Sequence, residues 1–260
     1  MALNKTFYNE NGYIFIKNLF PKKICLEAKK NILSCCDENF SQMLNIHKEN
    51  FLISHNIKKL NKIKNLAIRS DEIKRLSEIS KNFLKLARYK KFVNILNNLY
   101  EKEVVGVQSQ VIIKKPKTKF SKQSYLPHQD NSYAKNKNGL FFTTHLFLEK
   151  SSINNGTLYL YPKSHKLGLL KSKPGKSFDN NKKAGNKVIF NSLDYKYKKT
   201  FIDAEPGDLL IVNGNCIHGS EENKSKKKSR IVYTLCCIPI NEKFISGKNA
   251  RREAFKLYIN

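Results

Sequence analysis

The spacing of apolar residues changes after residue 103. In residues 57–99, apolar side chains recur every three or four positions with Lys on the other face, a pattern typical of amphipathic helices. Residues 12–19 alternate apolar and polar as a strand does, and a helix is predicted over about 21–36. We therefore expect residues 1–103 to be mostly helical support.

From residue 104 onward, β-branched and aromatic residues dominate short runs that turn-forming residues separate. Many short strands after a helical segment are typical of an antiparallel two-sheet roll packed against helices. The pattern predicts a mainly β fold with flanking helices, with a β core over 104–240 and a C-terminal tail over 241–260. The Lys-, Ser-, Gly- and Asn-rich stretch 171–187 is predicted to be a loop. Residues 1–260 are expected to form a single domain.

Composition narrows the class of protein. Hydrophobic residues make up 40% of the chain, as in globular proteins. An apolar run of about 18 residues is missing, and the first residues lack the basic and apolar regions of a leader, so neither a membrane-spanning helix nor a secretory signal is expected. The six cysteines show no CxxC spacing, and we interpret them as reduced thiols of a cytoplasmic protein.

The net charge of +28 raises the question of a nucleic-acid partner. Only six of the 49 basic residues are Arg, the lysines are spread over the chain, and no nucleic-acid-binding motif accompanies them. The sequence therefore predicts no specific nucleic-acid partner, although the positive field would attract small anions. It gives no indication of the oligomeric state.

A metal-binding pattern is carried by His128 and Asp130 near a predicted strand end, and by His218 at the end of a later apolar strand. Side chains two apart on extended backbone point to the same side, so His128 and Asp130 can converge on one point. Two imidazoles and one carboxylate form the facial triad of non-haem Fe(II) oxygenases, which leaves positions open for co-substrate and O2. The alternative is a surface His–Asp pair and a hydrogen-bonded core histidine, and the triad alone does not decide between them.

Arg230 opens another apolar strand, twelve residues after His218. A guanidinium binds a carboxylate through two parallel hydrogen bonds, which Lys cannot do. Because Arg is rare among the basic residues of this chain, its presence here is more informative than that of a Lys would be. Arg230 is a candidate anchor for the distal carboxylate of a dicarboxylic co-substrate.

The segments PHQDNSY (127–133), NNGTLYLYPKSHKLG (154–168) and PGDLLIVNGNCIHGS (206–220), with Arg230 and the opening NENGYIFIKNLF (9–20), resemble the phytanoyl-CoA dioxygenase family. The resemblance implies a double-stranded β-helix, a jelly-roll or cupin-like core. It also implies the use of Fe(II), 2-oxoglutarate and O2 to hydroxylate a small molecule, with release of succinate and CO2.

The same resemblance implies roles for individual residues. The iron ligands would be His128, Asp130 and His218. The residues around 2-oxoglutarate would be Arg230 as its anchor, Thr143, Ser220, Tyr125 and Gln108. The residues near the substrate would be Asn131, Tyr133 and His145. His145 stands where many relatives have Trp, and this chain has no Trp, which points to a different substrate.

The expected substrate is a small anionic metabolite such as a phosphonate or a carboxylate. This expectation rests on the positive charge, on His145, and on lysines placed near the predicted mouth of the site, namely Lys114, Lys115, Lys122 and Lys135. Two alternatives stay open. One is a cupin-like metal-binding protein or isomerase that does not use oxoglutarate, and the other is an oxygenase that acts on nucleic acid or protein.

Overall fold

A computed structural model gives the fold of most of the chain. The residues that it describes are 4–34, 41, 43–47, 51–54, 82–176, 183–189, 197–247 and 252–258. The helical pattern predicted within 57–81 lies outside these ranges. In the described part of the chain, no helix is both long enough and apolar enough to cross a membrane.

The helices lie mainly on the amino-terminal side of the sequence. Their bounds are α1 Lys5–Asn11, α2 Lys22–Leu33, α3 Lys90–Tyr100 and the single turn α4 Asn131–Ala134. Residues 82–87 are also helical. Helix α3 buries Phe92, Leu96 and Leu99, whose spacing of three and four residues places them on one face.

The strands alternate with these helices early in the chain and dominate it later. Their bounds are β1 Tyr13–Ile16, β2 Met43–His47, β3 Phe51–Ser54, β4 Val104–Lys114, β5 Tyr125–His128, β6 Phe142–Phe147, β7 Leu158–Leu160, β8 Ser172–Lys176, β9 Lys183–Val188, β10 Thr200–Phe201, β11 Leu209–Asn213, β12 His218–Ser220, β13 Arg230–Pro239 and β14 Phe255–Lys256.

Two antiparallel sheets form the core. The larger has the order β1-β11-β6-β13-β4-β2-β3, with β14 also paired to β4, and the smaller has the order β10-β7-β12-β5. From β4 to β7 and again from β10 to β13, successive strands along the chain belong to different sheets. Residues of both sheets line one cavity between them. The predicted double-stranded β-helix with flanking helices is confirmed.

The first 103 residues contribute more than helices. Strands β1, β2 and β3 join the larger sheet, and in the carboxy-terminal stretch β14 pairs with β4. Helix α3 and the larger sheet share one hydrophobic cluster, in which Leu96 lies with Ile211 and Leu235. This shared core supports the proposal that the chain is a single domain.

The prediction of a loop over 171–187 was wrong for those of its residues that the structure describes. Strands β8 and β9 pair with each other as an antiparallel ribbon, and 177–182 lie outside the described residues. Asn186 of β9 donates from its backbone N–H to Tyr133 Oη at 2.5 Å and from Nδ2 to Ser132 Oγ at 3.1 Å. Backbone pairing and these polar contacts form strands here without an apolar pattern.

Candidate metal centre and its cavity

Strand pairing brings the three predicted metal ligands together. His128 ends β5 and lies directly opposite His218, which begins β12. His128 Nε2 is 3.5 Å from Asp130 Oδ1, and His218 Nε2 is 3.4 Å from Asp130 Oδ2. One ligand atom from each residue lies within 4.8 Å of the others. The spacing suits a single ion bound by two imidazoles and a carboxylate.

Each of these side chains is oriented by a second hydrogen bond. Nδ1 of His128 lies 2.7 Å from the carbonyl oxygen of Leu126, and Nδ1 of His218 lies 3.0 Å from that of Cys216. Donation from Nδ1 to a carbonyl leaves Nε2 unprotonated and available to a metal. The geometry therefore favours the tautomer that binds a metal through Nε2.

The carboxylate is fixed in the same way. Thr143 Oγ1 donates to Asp130 Oδ2 at 2.5 Å. Burial acts to raise the pKa of Asp130, but the adjacent His218 and His128 outweigh it and hold this pKa well below its usual value. Burial acts to lower the pKa of His218, but Asp130 outweighs it and raises this pKa above its usual value. A divalent cation would replace the His218 proton, and the N, N, O donor set fits Fe(II).

The triad faces a cavity of about 580 Å³ between the two sheets. Alternate side chains of β4 and β13 line it, because residues two apart on a strand share a face. The lining from these two strands is Gln108, Gln110, Ile112, Arg230, Val232, Thr234 and Cys236. The smaller sheet contributes Tyr125, His128, Leu158, His218 and Ser220.

Arg230 lies at one end of this cavity and is only 1% exposed. Its Nε and Nη2 are buried and have no hydrogen-bond partner among the described residues. Burial lowers its pKa to about 10, so the guanidinium remains charged at neutral pH. A buried guanidinium with unsatisfied N–H groups is strongly unfavourable unless an anion pairs with it.

Lys114 is directly opposite Arg230 in the pairing of β4 with β13, and it is fully buried. Its Nζ donates to Ser220 Oγ at 3.1 Å and to the carbonyl oxygen of Glu221 at 2.7 Å, and it lies 5.3 Å from the centre of the Tyr125 ring. Burial, and then the charge of Arg230, hold the pKa of Lys114 well below its usual value. Among the described residues no carboxylate forms an ion pair with Lys114 or Arg230. The buried, charged guanidinium of Arg230 therefore makes this end a site for an anion.

The lysines expected at the mouth are placed differently from the prediction. Lys114 is buried opposite Arg230, and none of the four lysines lines the cavity. The basic side chains that do line it are those of Arg230 and Arg252.

Most of the other predicted site residues reach the cavity. Gln108, Tyr125, Tyr133, His145 and Ser220 line it. Burial raises the pKa of Tyr125 to about 12, so its phenol stays protonated at neutral pH.

Thr143 lies elsewhere than expected. It is opposite Cys236 on β13, six positions from Arg230, which is about 20 Å along a strand. Its hydroxyl therefore serves the carboxylate of Asp130 instead of a group held by Arg230.

Asn131 also lies outside the cavity lining. Its side chain donates to the carbonyl oxygen of Asn136 and to Asn215 Oδ1, both at 2.9 Å, and accepts the Asn136 N–H at 2.8 Å. These bonds hold the turn that follows Asp130, so its place in the structure is that of a scaffold residue.

His145 presents one unpaired nitrogen to the cavity. Its Nδ1 lies 3.1 Å from Thr234 Oγ1, while Nε2 is buried with no partner among the described residues. Burial, then the charge of His218, lower the pKa of His145 to about 3, so the ring is neutral. The ring centre is 6.0 Å from that of His218. His145 is therefore available for a single hydrogen bond to a bound molecule.

Sequence reasoning missed Arg252 as a cavity group. The rarity of Arg was a usable signal for Arg252, as it was for Arg230. Lys114 was predicted near the mouth together with three other lysines, and no sequence signal showed that it would be fully buried.

Comparison with known proteins agrees with this geometry. The family described as Phytanoyl-CoA dioxygenase (PhyH) matches residues 8–232. A phytanoyl-CoA dioxygenase of Arabidopsis thaliana is 32% identical over 148 residues, covering 56% of this chain and 48% of that protein. The peroxisomal phytanoyl-CoA dioxygenase of Homo sapiens is 25% identical over 265 residues, covering 96% of this chain and 73% of that protein. The match with the plant protein thus spans about half of that relative's length.

Solved structures share the fold at low sequence identity. The epimerase SnoN from nogalamycin biosynthesis, in complex with Fe3+, alpha ketoglutarate and nogalamycin RO, superposes with a TM-score of 0.62 at 14% identity, covering 98% of this chain and 94% of that one. EctD from S. alaskensis with 2-oxoglutarate and 5-hydroxyectoine superposes with a TM-score of 0.60 at 15% identity, covering 93% of this chain and 77% of that one.

The family match covers the triad, Arg230, the whole smaller sheet and the larger sheet up to the start of β13. The chain therefore belongs to the phytanoyl-CoA dioxygenase (PhyH) family.

Proposed function

We propose that this protein is an Fe(II)- and 2-oxoglutarate-dependent dioxygenase that hydroxylates a small organic anion. The observation that carries the proposal is Arg230, a buried guanidinium with two unpaired N–H groups in the same cavity as the His–Asp–His triad. In a cupin-like metal protein that does not bind oxoglutarate, this buried guanidinium would have no assigned anionic partner. The match to the PhyH family supports the same reading.

His128, Asp130 and His218 would hold the metal, and Arg230 would bind the distal carboxylate of 2-oxoglutarate bidentately. Lys114, opposite Arg230, would hold Ser220 in place through its hydrogen bond. The SnoN complex contains Fe3+ and alpha ketoglutarate and the EctD complex contains 2-oxoglutarate, which supports both groups here.

Bound Fe(II) would supply the oxidising chemistry, in which 2-oxoglutarate and O2 are consumed, succinate and CO2 are released, and the substrate is hydroxylated. The protein's own contribution is positioning. The Nδ1 hydrogen bonds of His128 and His218 and the Thr143 bond to Asp130 fix the donor atoms before a metal binds. Apolar side chains such as Ile112, Val232 and Leu158 in the cavity wall limit the entry of water.

We also propose a reducing, cytoplasmic setting. Cys25, Cys216, Cys236 and Cys237 are buried and carry no disulfide, which suits a reducing compartment. Cys35 and Cys36 lie outside the described residues. We propose no nucleic-acid partner, because the cavity is bounded by the two sheets and holds about 580 Å³, the size of a small-molecule site.

The test is anaerobic addition of Fe(II) and 2-oxoglutarate to the metal-free protein. We expect a visible charge-transfer band only when both are present. The variants His128→Ala, Asp130→Ala and His218→Ala should each abolish the band, since each removes one of three metal donors.

His165→Ala is the matched control, because His165 contacts the Asn9 carbonyl oxygen outside the cavity. It should keep the band. A folded, iron-loaded wild-type protein that gives no band with 2-oxoglutarate would refute the proposed function.

A further inference from the structure

The cavity has a second guanidinium that the chemistry above does not use. Arg252 follows the last long strand, β13, and lines the same cavity as Arg230. Its Nη1 makes only long contacts with neutral carbonyl oxygens, at 3.3 Å to Tyr133, 3.5 Å to Ile245 and 3.4 Å to Ser246. Its Nε is buried and has no partner in the described part of the chain.

The backbone holds Arg252 in this place. Its N–H donates to the carbonyl oxygen of Ser246 at 2.8 Å, and Ser246 Oγ donates to the Arg252 carbonyl oxygen at 2.7 Å. No described carboxylate forms an ion pair with it. A fixed guanidinium that lacks a counter-ion and faces a cavity has the chemistry of an anion-binding group.

Arg252 lies near the Cys236 end of the cavity lining on β13, whereas Arg230 begins that strand. Its Cζ is 5.8 Å from the centre of the Tyr133 ring, three residues after Asp130. Burial raises the pKa of Tyr133 to about 12, Asp130 adds to the rise and Arg252 opposes it, so both charges lie close to this phenol. Asp130 and Arg252 also both act on the thiol of Cys236, six positions along β13 from Arg230 and thus about 20 Å away along the strand. Arg252 is therefore separated from Arg230 along β13.

Polar groups surround this end of the cavity. Three polar residues line it, namely Ser132, Tyr133 and Asn186. Asn186 of the β8–β9 ribbon donates hydrogen bonds to Ser132 and Tyr133, which belong to the turn after Asp130. Tyr133 accepts the Asn186 N–H, so its own proton is left for another acceptor. These groups can complete the hydrogen bonding of an oxyanion.

We propose that Arg252 forms the subsite that binds the anionic group of the substrate, a carboxylate or a phosphonate. This inference rests on the proposed function and deepens it, because it assigns the substrate's charge to a residue. The substrate then lies between Arg252 and the triad, with its reacting carbon toward the metal and its anion toward the β8–β9 ribbon. The recognition group for the substrate is therefore separate from the one for the co-substrate.

The test is calorimetric titration of n-propylphosphonate and of butyrate, with butyramide as the neutral probe of similar shape. Each is titrated into the metal-free protein, and again anaerobically in the presence of Fe(II) and saturating 2-oxoglutarate. The variants are Arg252→Gln and Arg252→Lys. Arg88→Gln is the matched control, because Arg88 also donates to a backbone carbonyl oxygen, that of Lys256 at 3.2 Å, but lies outside the cavity lining.

We expect the anions to bind the wild-type protein more tightly than butyramide does. Arg252→Gln should weaken anion binding at least tenfold and Arg252→Lys by less, since Lys keeps the charge but loses the planar fork. Arg88→Gln should change neither. The affinity for 2-oxoglutarate and the charge-transfer band should be unchanged in the Arg252 variants, and thermal melting should show that they are folded.

Equal anion affinity in wild type and folded Arg252→Gln would overturn the inference, and so would an absence of anion binding to the wild-type protein. Either result could coexist with a normal charge-transfer band, which would leave the proposed function standing. Loss of the band in wild type, with Arg252-dependent anion binding intact in the metal-free protein, would instead refute the proposed function alone.

Discussion

At the scale of single residues, the site contains several buried side-chain nitrogens that have no partner among the described residues. His145 is held through Nδ1 and presents Nε2, while Arg230 and Arg252 have buried N–H groups without partners among the described residues. Leaving such groups unpaired costs about 1–3 kcal/mol each, more when the group is charged. These atoms mark where bound molecules are expected to make their hydrogen bonds.

Arg230→Lys should weaken 2-oxoglutarate binding about ten- to hundredfold, corresponding to roughly 1.5–3 kcal/mol, because a point charge replaces a planar two-bond contact. Iron affinity should stay within about twofold of wild type, since Arg230 is not a metal donor. The measurement is a titration of the charge-transfer band with 2-oxoglutarate, with Arg88→Lys as control. Unchanged 2-oxoglutarate affinity would assign the anchor to another residue, with Lys114 the next candidate.

Metal affinity should depend on pH through His218. Its pKa is raised in the metal-free protein, chiefly by Asp130 acting against burial, and a protonated imidazole cannot bind a metal. Apparent Fe(II) affinity should therefore be constant above this pKa and fall about tenfold per pH unit below it. Anaerobic competition with a chelator between about pH 5.5 and 8 measures the apparent Fe(II) affinity, after correction for the chelator's own pH dependence. A flat profile across that window would contradict a single-proton exchange at His218.

At the scale of elements, the pairing of β5 with β12 builds the metal centre. Gly219 lies between His218 and Ser220, and a Cβ there would be 2.3 Å from the Tyr125 carbonyl oxygen and 2.4 Å from Tyr159 Oη. These are distances that real side chains do not adopt, so only glycine lets the two strands approach closely enough for the histidines to meet. The site thus depends on a residue that offers no chemistry of its own.

Gly219→Ala should separate β5 from β12, with a loss of about 1–3 kcal/mol of stability and a weaker metal site. Urea unfolding measures the first effect and chelator competition the second. Gly207→Ala is the matched control, since its Cβ would be 2.3 Å from the Phe20 carbonyl oxygen, and Gly207 does not line the cavity. That variant should lose stability but, once folded, keep its metal affinity. Equal metal affinity in both variants would show that the centre tolerates strand separation.

At the scale of the whole molecule, the net charge of +28 surrounds a cavity whose two ends are cationic. A field of this sign raises the local concentration of small anions and speeds their association. The screening length is about 10 Å at 0.1 M salt, so the field acts mainly at low ionic strength. The surface lysines and the buried arginines therefore act at different ranges on the same class of ligand.

Raising salt from about 20 to 200 mM should increase the KM for an anionic substrate several-fold and leave kcat nearly unchanged. The reason is that screening weakens attraction before binding, whereas the contacts at Arg252 are inside the cavity. Steady-state assays of succinate formation measure this once a substrate is identified, with a neutral substrate analogue as control. A salt-independent KM would show that the overall charge has no part in substrate capture.

The sequence by itself determined the fold class and the centre of the site. Short runs of β-branched and aromatic residues separated by turn-forming residues predicted the β core, and the His128–Asp130 spacing, His218 and Arg230 predicted the groups that the sheets bring together. These features could be predicted from the sequence because they depend on local geometry. Residues that are two apart on a strand lie on the same face of the sheet.

Only the tertiary structure decided which of many similar side chains are buried at the site. Lys114 is one lysine among many until β13, β12 and Tyr125 pack around it and remove it from water. Thr143 turned out to hold Asp130, because strand register set its distance from Arg230. Strands β8 and β9 form without an apolar pattern, because backbone pairing and the contacts of Asn186 stabilise them. Arg252 joins the site from beyond β13, and burial and register of this kind arise from contacts between distant segments that no local pattern encodes.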